Sequence, residues 1–102
     1  MNLLIGDIGN TNTKICLVEE KEFKIKKIVY IDSKNINSSK YLISIIQKII
    51  QKKHINKVAL FSSVVPKYFT FFKVTCTRYF KFNMIPNNLS IVMNHKVERY
   101  ER

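Results

Sequence analysis

Glycine, proline and cysteine are scarce in this chain of 102 residues, which contains two of each. With only Gly6 and Gly9, it can hold neither the G-x-G-x-x-G dinucleotide fingerprint nor the G-x-x-x-x-G-K-[ST] phosphate loop. Cys16 and Cys76 stand far apart with no C-x-x-C, which argues against a zinc site or a redox motif. Both cysteines are therefore expected to be small buried residues in a reducing compartment.

Long apolar runs are also missing from the sequence. It has no stretch of about 18 apolar residues, and its N-terminus lacks the basic and apolar regions of a signal peptide. We therefore expect a cytoplasmic protein without a membrane partner. The length allows a single domain with its own hydrophobic core, and 46% apolar with 25% charged residues is an ordinary globular composition.

Acidic residues are few, because seven Asp and Glu face 18 Lys and Arg for a formal charge of +11. Such an excess attracts nucleic acid, anionic membranes or anionic small molecules. However, 15 of the 18 cations are Lys, which are spread along the chain together with Ile and Asn, residue types that share A/T-rich codons. Arg clusters and a basic platform with interleaved aromatics are missing, so we do not expect nucleic acid as the partner.

Apolar and β-branched segments alternate with polar turns in a pattern typical of an α/β protein. We predict three antiparallel strands joined by short turns, a helix over about residues 38–53, a fourth strand and a second helix, in the order β-β-β-α-β-α. The predicted strand segments are Leu3–Ile5, Thr13–Val18, Phe23–Ile31 and Val58–Phe61.

The first predicted helix has the clearer pattern. After a polar loop suited to capping, apolar residues recur at i, i+3, i+4, i+7 and i+8 from Leu42 to Ile50. The second helix is predicted to begin near Pro66, with Ser62 or Ser63 at its cap.

Residues 82–102 are predicted to be a poorly defined tail. Turn-forming residues mark a loop from Asn83 to Asn88, and Leu89–Met93 could form a strand.

Residues 7–11, D-I-G-N-T, follow the first buried strand and are rich in turn formers. Gly9 and Asn10 tolerate positive φ angles, so the chain can reverse and present successive backbone N–H groups to phosphate oxygens. Two nearby threonines add hydroxyl donors, and Asp7 supplies a carboxylate suited to a hydrated Mg²⁺. An ordinary hairpin turn favours the same residue types, and composition alone leaves both interpretations open.

Residues 1–14, M-N-L-L-I-G-D-I-G-N-T-N-T-K, resemble the start of the type III pantothenate kinases. These enzymes belong to the actin, sugar-kinase and Hsp70 superfamily, and their D-x-G-N-T turn is the first phosphate motif. A second segment, Leu60–Pro66, is similar to the family's strand-to-helix S-S-V-V-P segment. The two motifs occur in the family's order with a helix between them, which is more specific than either motif alone.

The resemblance implies an incomplete ribonuclease-H-like fold of the actin-like ATPase type, with a mixed sheet and flanking helices. It implies ATP as phosphoryl donor, Mg²⁺, a monovalent cation (K⁺ or NH₄⁺), pantothenate as acceptor in the first step of coenzyme A synthesis, and a homodimer. Asp7 would lie nearest the metal. The residues implied to line the ATP phosphates are Asp7, Ile8, Gly9, Asn10, Thr11, Asn12, Thr13 and Lys14. On an alternating strand Lys14 could equally face solvent.

The chain departs from the family in two respects. Family members are much longer, and their G-A-D-R segment, which supplies the catalytic base and contacts pantothenate, has no match here. Glu101 and Arg102 fall about where that segment belongs, but their role is left open and no catalytic residue is assigned. We expect one nucleotide-binding domain over residues 1–102, without the second kinase domain. Because phosphoryl transfer needs groups on several sides of the phosphates, this chain alone should bind nucleotide weakly and transfer little or nothing.

Two other functions stay open. One is a non-catalytic Lys-rich module that binds nucleic acid, and the other is a degenerate relative that keeps the fold without activity. Nucleotide binding that needs Mg²⁺ and is lost in Asp7→Ala would favour the kinase. Polynucleotide binding that falls steeply with salt and ignores Asp7 would favour the module.

Overall fold

The computed structural model describes residues 1–51, 54–87 and 99–100, and these contain five strands, two α-helices and one 3₁₀ helix. In chain order they are β1 (Asn2–Ile8), β2 (Asn12–Glu19), β3 (Lys24–Asp32), the 3₁₀ helix (Ser33–Asn37), α1 (Ser39–Ile50), β4 (Ile55–Ser63), α2 (Pro66–Phe80) and β5 (Asn83–Pro86). The predicted order β-β-β-α-β-α is confirmed, and one further strand follows it. The predicted strand at Leu89–Met93 and the residues Glu101 and Arg102 lie outside the described residues.

The strands form one mixed sheet in the order β3-β2-β1-β4-β5. β1 pairs antiparallel with β2, which pairs antiparallel with β3, whereas β4 runs parallel to β1 and β5 runs parallel to β4. A meander of three strands followed by helix-connected parallel strands is the incomplete ribonuclease-H-like arrangement that the family resemblance implied.

Alternation along the strands gives the sheet two apolar faces. On one face, Leu4 and Ile8 of β1 pack with Ile46 of α1 and Phe72 of α2, so both helices cover the same side. On the other face, Ile5 belongs to a second buried cluster. Cys16 and Cys76 are buried, as predicted. No helix within the described part of the chain is long and apolar enough to cross a membrane.

The first helix begins where it was predicted and ends earlier. Ser38 is its N-cap, and the Ser38 hydroxyl accepts the N–H of Tyr41 at 3.2 Å. The helix ends at Ile50 because Gln51 leaves the helical conformation with a φ of 43°. The helix therefore ends before the predicted end at residue 53, and residues 52 and 53 themselves lie outside the described residues.

The second helix begins at Pro66, as predicted, but its predicted cap is wrong. The N-cap residue is Val65, which has no side-chain cap bond. The Ser63 hydroxyl instead bonds the backbone of Val65, accepting from its N–H at 3.0 Å and donating to its carbonyl at 2.9 Å. Ser62 does not cap the helix, because its hydroxyl donates to a carboxylate on β1.

Strand β5 corrects the prediction of a loop at Asn83–Asn88. Its four residues pair with β4 from Val58↔Asn83 to Phe61↔Pro86, and Met84 is buried against the core. Asn and Pro gave this segment the composition of a loop. Pro is nevertheless tolerated at the end of an edge strand, where its missing N–H removes no ladder bond.

Candidate functional site

Asp7 and Ser62 meet where two neighbouring strands end. β1 and β4 are parallel, so their carboxyl ends lie at the same edge of the sheet, and Asp7 stands in register with Ser62. The Ser62 hydroxyl donates a hydrogen bond of 2.8 Å to Oδ1 of Asp7, which is half-buried. This bond fixes the carboxylate at the sheet edge where open α/β folds bind their ligands.

The chain between β1 and β2 is a tight hairpin over Gly9, Asn10 and Thr11. The N–H of Gly9 donates to the carbonyl of Asn12 at 3.0 Å. Neither Gly9 nor Asn10 adopts a positive φ, so the expected left-handed geometry is wrong. Glycine is required at position 9 for a different reason, because a Cβ there would lie 2.7 Å from the Asn12 carbonyl oxygen.

Ser33, the first residue of the 3₁₀ helix, is hydrogen-bonded to this hairpin. Its hydroxyl donates to the carbonyl of Gly9 at 2.7 Å and lies 2.8 Å from the hydroxyl of Thr13. Its backbone N–H donates to the carbonyl of Thr11 at 2.8 Å. Sequence reasoning missed Ser33. The available signal was its position just after β3, whose end must lie beside the start of β2 in an antiparallel meander.

The residues predicted to line the phosphates divide into two groups. Ile8 and Thr13 are fully buried, so their side chains support the hairpin from the core side. The remaining six are at least partly exposed: Asp7, Gly9 and Lys14 are half-buried, and Asn10, Thr11 and Asn12 are exposed. Lys14 stands directly across from Asp7 in the β1–β2 register. Cross-strand partners share a face, so a cation and a carboxylate lie side by side.

The second sequence motif contacts the first. The N–H of Val64, just beyond β4, donates to the carbonyl of Ile8 at 3.1 Å. Together with the Ser62–Asp7 bond, this contact joins the two segments that carry the family resemblance. They form one edge of the sheet although more than 50 residues separate them in sequence.

Two cavities flank this edge. The larger, of about 560 Å³, lies at the ends of β4 and β5 beside the start of α2. Its lining residues are Phe61, Ser62, Ser63, Pro66, Phe69, Thr70, Pro86 and Asn87. The smaller, of about 220 Å³, lies beside the hairpin and is lined by Asn10, Thr11, Asp32 and Lys34. Ser62 therefore connects the larger cavity to Asp7.

A magnesium ion fits this edge only if it is held jointly by the protein and the substrate phosphates. Within the part of the chain that the structure describes, no group of three or more His, Cys, Asp or Glu residues could hold a metal ion. A single oriented carboxylate is nevertheless the usual protein contribution to Mg²⁺, which keeps several waters and takes its other ligands from substrate phosphates. Asp7 supplies such a carboxylate.

Comparison with known proteins gives two matches. A family model described as "Type III pantothenate kinase" matches residues 3–101. The chain is 43% identical over 79 residues to a protein of Pelagibacter ubique (strain HTCC1062) named "Type III pantothenate kinase". That alignment covers 78% of this chain and 31% of the relative, so the chain corresponds to about a third of the relative's length.

Proposed function

The chain belongs to the type III pantothenate kinase family, and from that premise we propose that it forms the nucleotide-binding part of an ATP-dependent pantothenate kinase. The reaction would be the first step of coenzyme A synthesis, in the cytoplasm. The observation that carries the proposal is the Asp7–Ser62 pair, which stands beside the hairpin at the edge where both matched motifs meet.

The hairpin would bind the phosphates of Mg·ATP, and Asp7 would bind the metal ion. Backbone N–H groups and the Thr11 hydroxyl at the exposed turn would donate hydrogen bonds to phosphate oxygens. Asp7 would hold Mg²⁺ with its carboxylate, and Lys14 across the register would add positive charge. The ion, when bound, neutralises charge on the phosphates. Ile8 and Thr13 would act through the placement of their backbone, because their side chains are buried.

The larger cavity is our proposed location for pantothenate. Its volume of about 560 Å³ lies in the range of small-molecule sites, and Ser62 places its wall next to Asp7. A monovalent cation, K⁺ or NH₄⁺, and a homodimer belong to the same proposal and are supported by family membership alone.

These 102 residues by themselves are proposed to bind Mg·ATP weakly and to transfer little or no phosphate. Phosphoryl transfer depends on charge stabilisation and positioning from several sides of the phosphate chain. The sheet edge with Asp7 and the hairpin supplies groups on one side of the phosphates.

The test is a titration of the ¹⁵N-labelled chain with Mg·ATP, followed by the amide resonances of residues 9–12. We expect saturable chemical-shift changes at these amides that need Mg²⁺. In Asp7→Asn the dissociation constant obtained from them should rise about tenfold, which corresponds to the loss of roughly one charge-assisted contact. The matched control is Glu22→Gln, which removes one carboxylate at the exposed β2–β3 turn, at the opposite end of the strands.

Three results would separate the alternatives. Shifts that are equal in Asp7→Asn and Glu22→Gln would contradict a metal role for Asp7. Absence of any Mg²⁺-dependent shift would contradict nucleotide binding and favour a degenerate relative. Formation of phosphopantothenate by the wild-type chain, lost in Asp7→Asn, would show that these residues suffice for transfer, contrary to the weak activity proposed here.

A further inference from the structure

We propose that Ser33 is a positioning residue whose hydroxyl sets the direction of the Asn10 backbone N–H in the phosphate hairpin. The inference rests on the proposed function and adds a residue outside both sequence motifs. It starts from three hydrogen bonds of one residue, to Gly9, Thr11 and Thr13, which span both ends of the hairpin.

The proton positions in this cluster follow from the donor count. A serine hydroxyl carries one proton, and Ser33 donates it to the carbonyl of Gly9. The 2.8 Å contact between the two hydroxyls therefore requires Thr13 to be the donor and Ser33 Oγ the acceptor. Thr13 and Ser33 are both fully buried, so water does not compete for the bond between their hydroxyls. The relay Thr13→Ser33→Gly9 locks the hydroxyl rotor of Ser33.

Planarity of the peptide bond carries this orientation to the exposed side of the hairpin. A trans peptide places its C=O and its N–H on opposite sides. The Gly9 carbonyl points to the Ser33 hydroxyl, so the N–H of Asn10 in the same peptide points away from Ser33. The Thr11 carbonyl accepts the backbone N–H of Ser33 in continuation of the β2–β3 ladder, so the N–H of Asn12 points along the sheet toward β1.

The N–H of Asn10 is thus directed away from the core side of the sheet. Thr13 shares its face with Ile15, which packs in the core that the helices cover, so Ser33 reaches the hairpin from that side. Asp7 alternates with Ile8 and lies on the other face. The Ser33 hydroxyl in this way directs the Asn10 N–H toward the side that holds the proposed metal-binding carboxylate, where phosphate oxygens would approach.

The test compares Ser33→Ala with variants that separate positioning from general destabilisation. Residual dipolar couplings report the directions of the Asn10 and Asn12 N–H vectors without any ligand, and a Mg·ATP titration reports affinity. In Ser33→Ala we expect the Asn10 coupling to depart from its wild-type value, while the Asn12 coupling, which depends on the backbone N–H of residue 33, and those of β1 and β4 are kept. The dissociation constant for Mg·ATP should rise about tenfold, the factor for one lost hydrogen bond in a buried network.

Three further variants complete the design. Ser33→Thr keeps the hydroxyl and should restore the Asn10 coupling. Thr75→Val removes another buried hydroxyl, on α2, and should lower stability without moving it. Ser33→Cys replaces the hydroxyl with a weak S–H donor of similar size, so it should also move the Asn10 vector, and it decides the question if Ser33→Ala does not fold.

An unchanged Asn10 coupling in Ser33→Ala, or a change of equal size in Thr75→Val, would overturn the inference. If Ser33→Ala does not fold, an unmoved Asn10 vector in Ser33→Cys would do so. A wild-type chain that does not bind Mg·ATP would instead contradict the proposed function. The couplings decide the role of Ser33 in either case.

Discussion

Gly6 owes its place in β1 to side-chain packing. A Cβ at this position would overlap the ring of Phe61 on β4 and would lie 2.6 Å from the carbonyl oxygen of Lys14 on β2. The ring of Phe61 is itself fully buried and packs against Phe72 of α2 with ring centroids 4.7 Å apart. The missing side chain thus lets an aromatic ring of the helix-covered core pack against the strand that carries Asp7.

We expect Gly6→Ala to lower the free energy of unfolding by about 3 kcal/mol, the upper end for an overpacked core. Urea denaturation measures the loss. The double variant Gly6→Ala with Phe61→Leu is the informative control, because it removes the ring and leaves the approach to the Lys14 carbonyl. If the contact of the new Cβ with the Lys14 carbonyl matters, β1 stays strained even without the ring of Phe61. The double variant is then no more stable than Phe61→Leu alone. A Gly6→Ala protein as stable as the wild type would contradict the packing argument.

Burial raises the pKa of the Cys76 thiol to about 12 from an ordinary value of 9.0. The folded protein therefore holds this thiol protonated in a range where the unfolded chain ionises it. The resulting stability is present below pH 9.0, the pKa in the unfolded chain, and is lost as the pH rises toward about 12.

Two measurements check this prediction. At about pH 8, alkylation of Cys76 should be limited by unfolding, since the thiolate is the nucleophile and the buried thiol does not form it. The difference in unfolding free energy between the wild type and Cys76→Ala should shrink as the pH rises above 9.0. Rapid labelling of Cys76 in the folded protein would show that the thiol is accessible.

At the scale of the elements, α2 ends with a non-glycine residue in the left-handed region. Lys81 has a φ of 61° and a ψ of 29°, and its N–H donates to the carbonyls that close the helix. This conformation costs little for glycine and more for any residue with a Cβ. We expect Lys81→Gly to stabilise the protein by about 1 kcal/mol, which raises the melting temperature by about 4–8 °C in a domain of this size.

The same substitution inside the helix supplies the control for Lys81→Gly. Lys73 is exposed in the middle of α2, so Lys73→Gly removes the same charge but places glycine in a helix interior. We expect it to destabilise by about 1 kcal/mol. Thermal shifts of opposite sign support the conformational argument, whereas shifts of the same sign would assign the effect to the lost charge.

Elements with a strong periodic pattern were predictable, and those defined by partners were not. α1 followed from its apolar repeat, and β1 to β4 followed from short apolar runs between turn formers. β5 was missed because its strand character comes from pairing with β4, and its own residues are typical of a loop. Ser33 was missed for the same reason, since its bonds to Gly9 and Thr13 depend on how β2 and β3 are paired.

At the scale of the whole molecule, the formal charge of +11 affects binding independently of the hairpin. Fifteen Lys spread along the chain create a positive field that attracts any polyanion, and such attraction is screened by salt. Binding driven by this positive field and binding at the sheet edge that carries Asp7 therefore respond to different conditions. One depends on ionic strength and total charge, and the other on Mg²⁺ and a single carboxylate.

We expect polynucleotide binding to be weak, independent of sequence and lost steeply with salt, with affinity falling by as much as about 10³-fold between about 50 and 200 mM. Asp7→Asn should leave it unchanged or slightly stronger, because the variant adds one unit of positive charge. Mg·ATP binding should behave in the opposite way, with a strong dependence on Asp7 and only a modest dependence on salt. Fluorescence anisotropy of a labelled oligonucleotide, measured beside the Mg·ATP titration in the same buffers, checks both. Polynucleotide binding that persists at high salt and prefers one sequence would show that the basic surface is a specific nucleic-acid site, and the Lys-rich module would then replace the kinase as the best account of this chain.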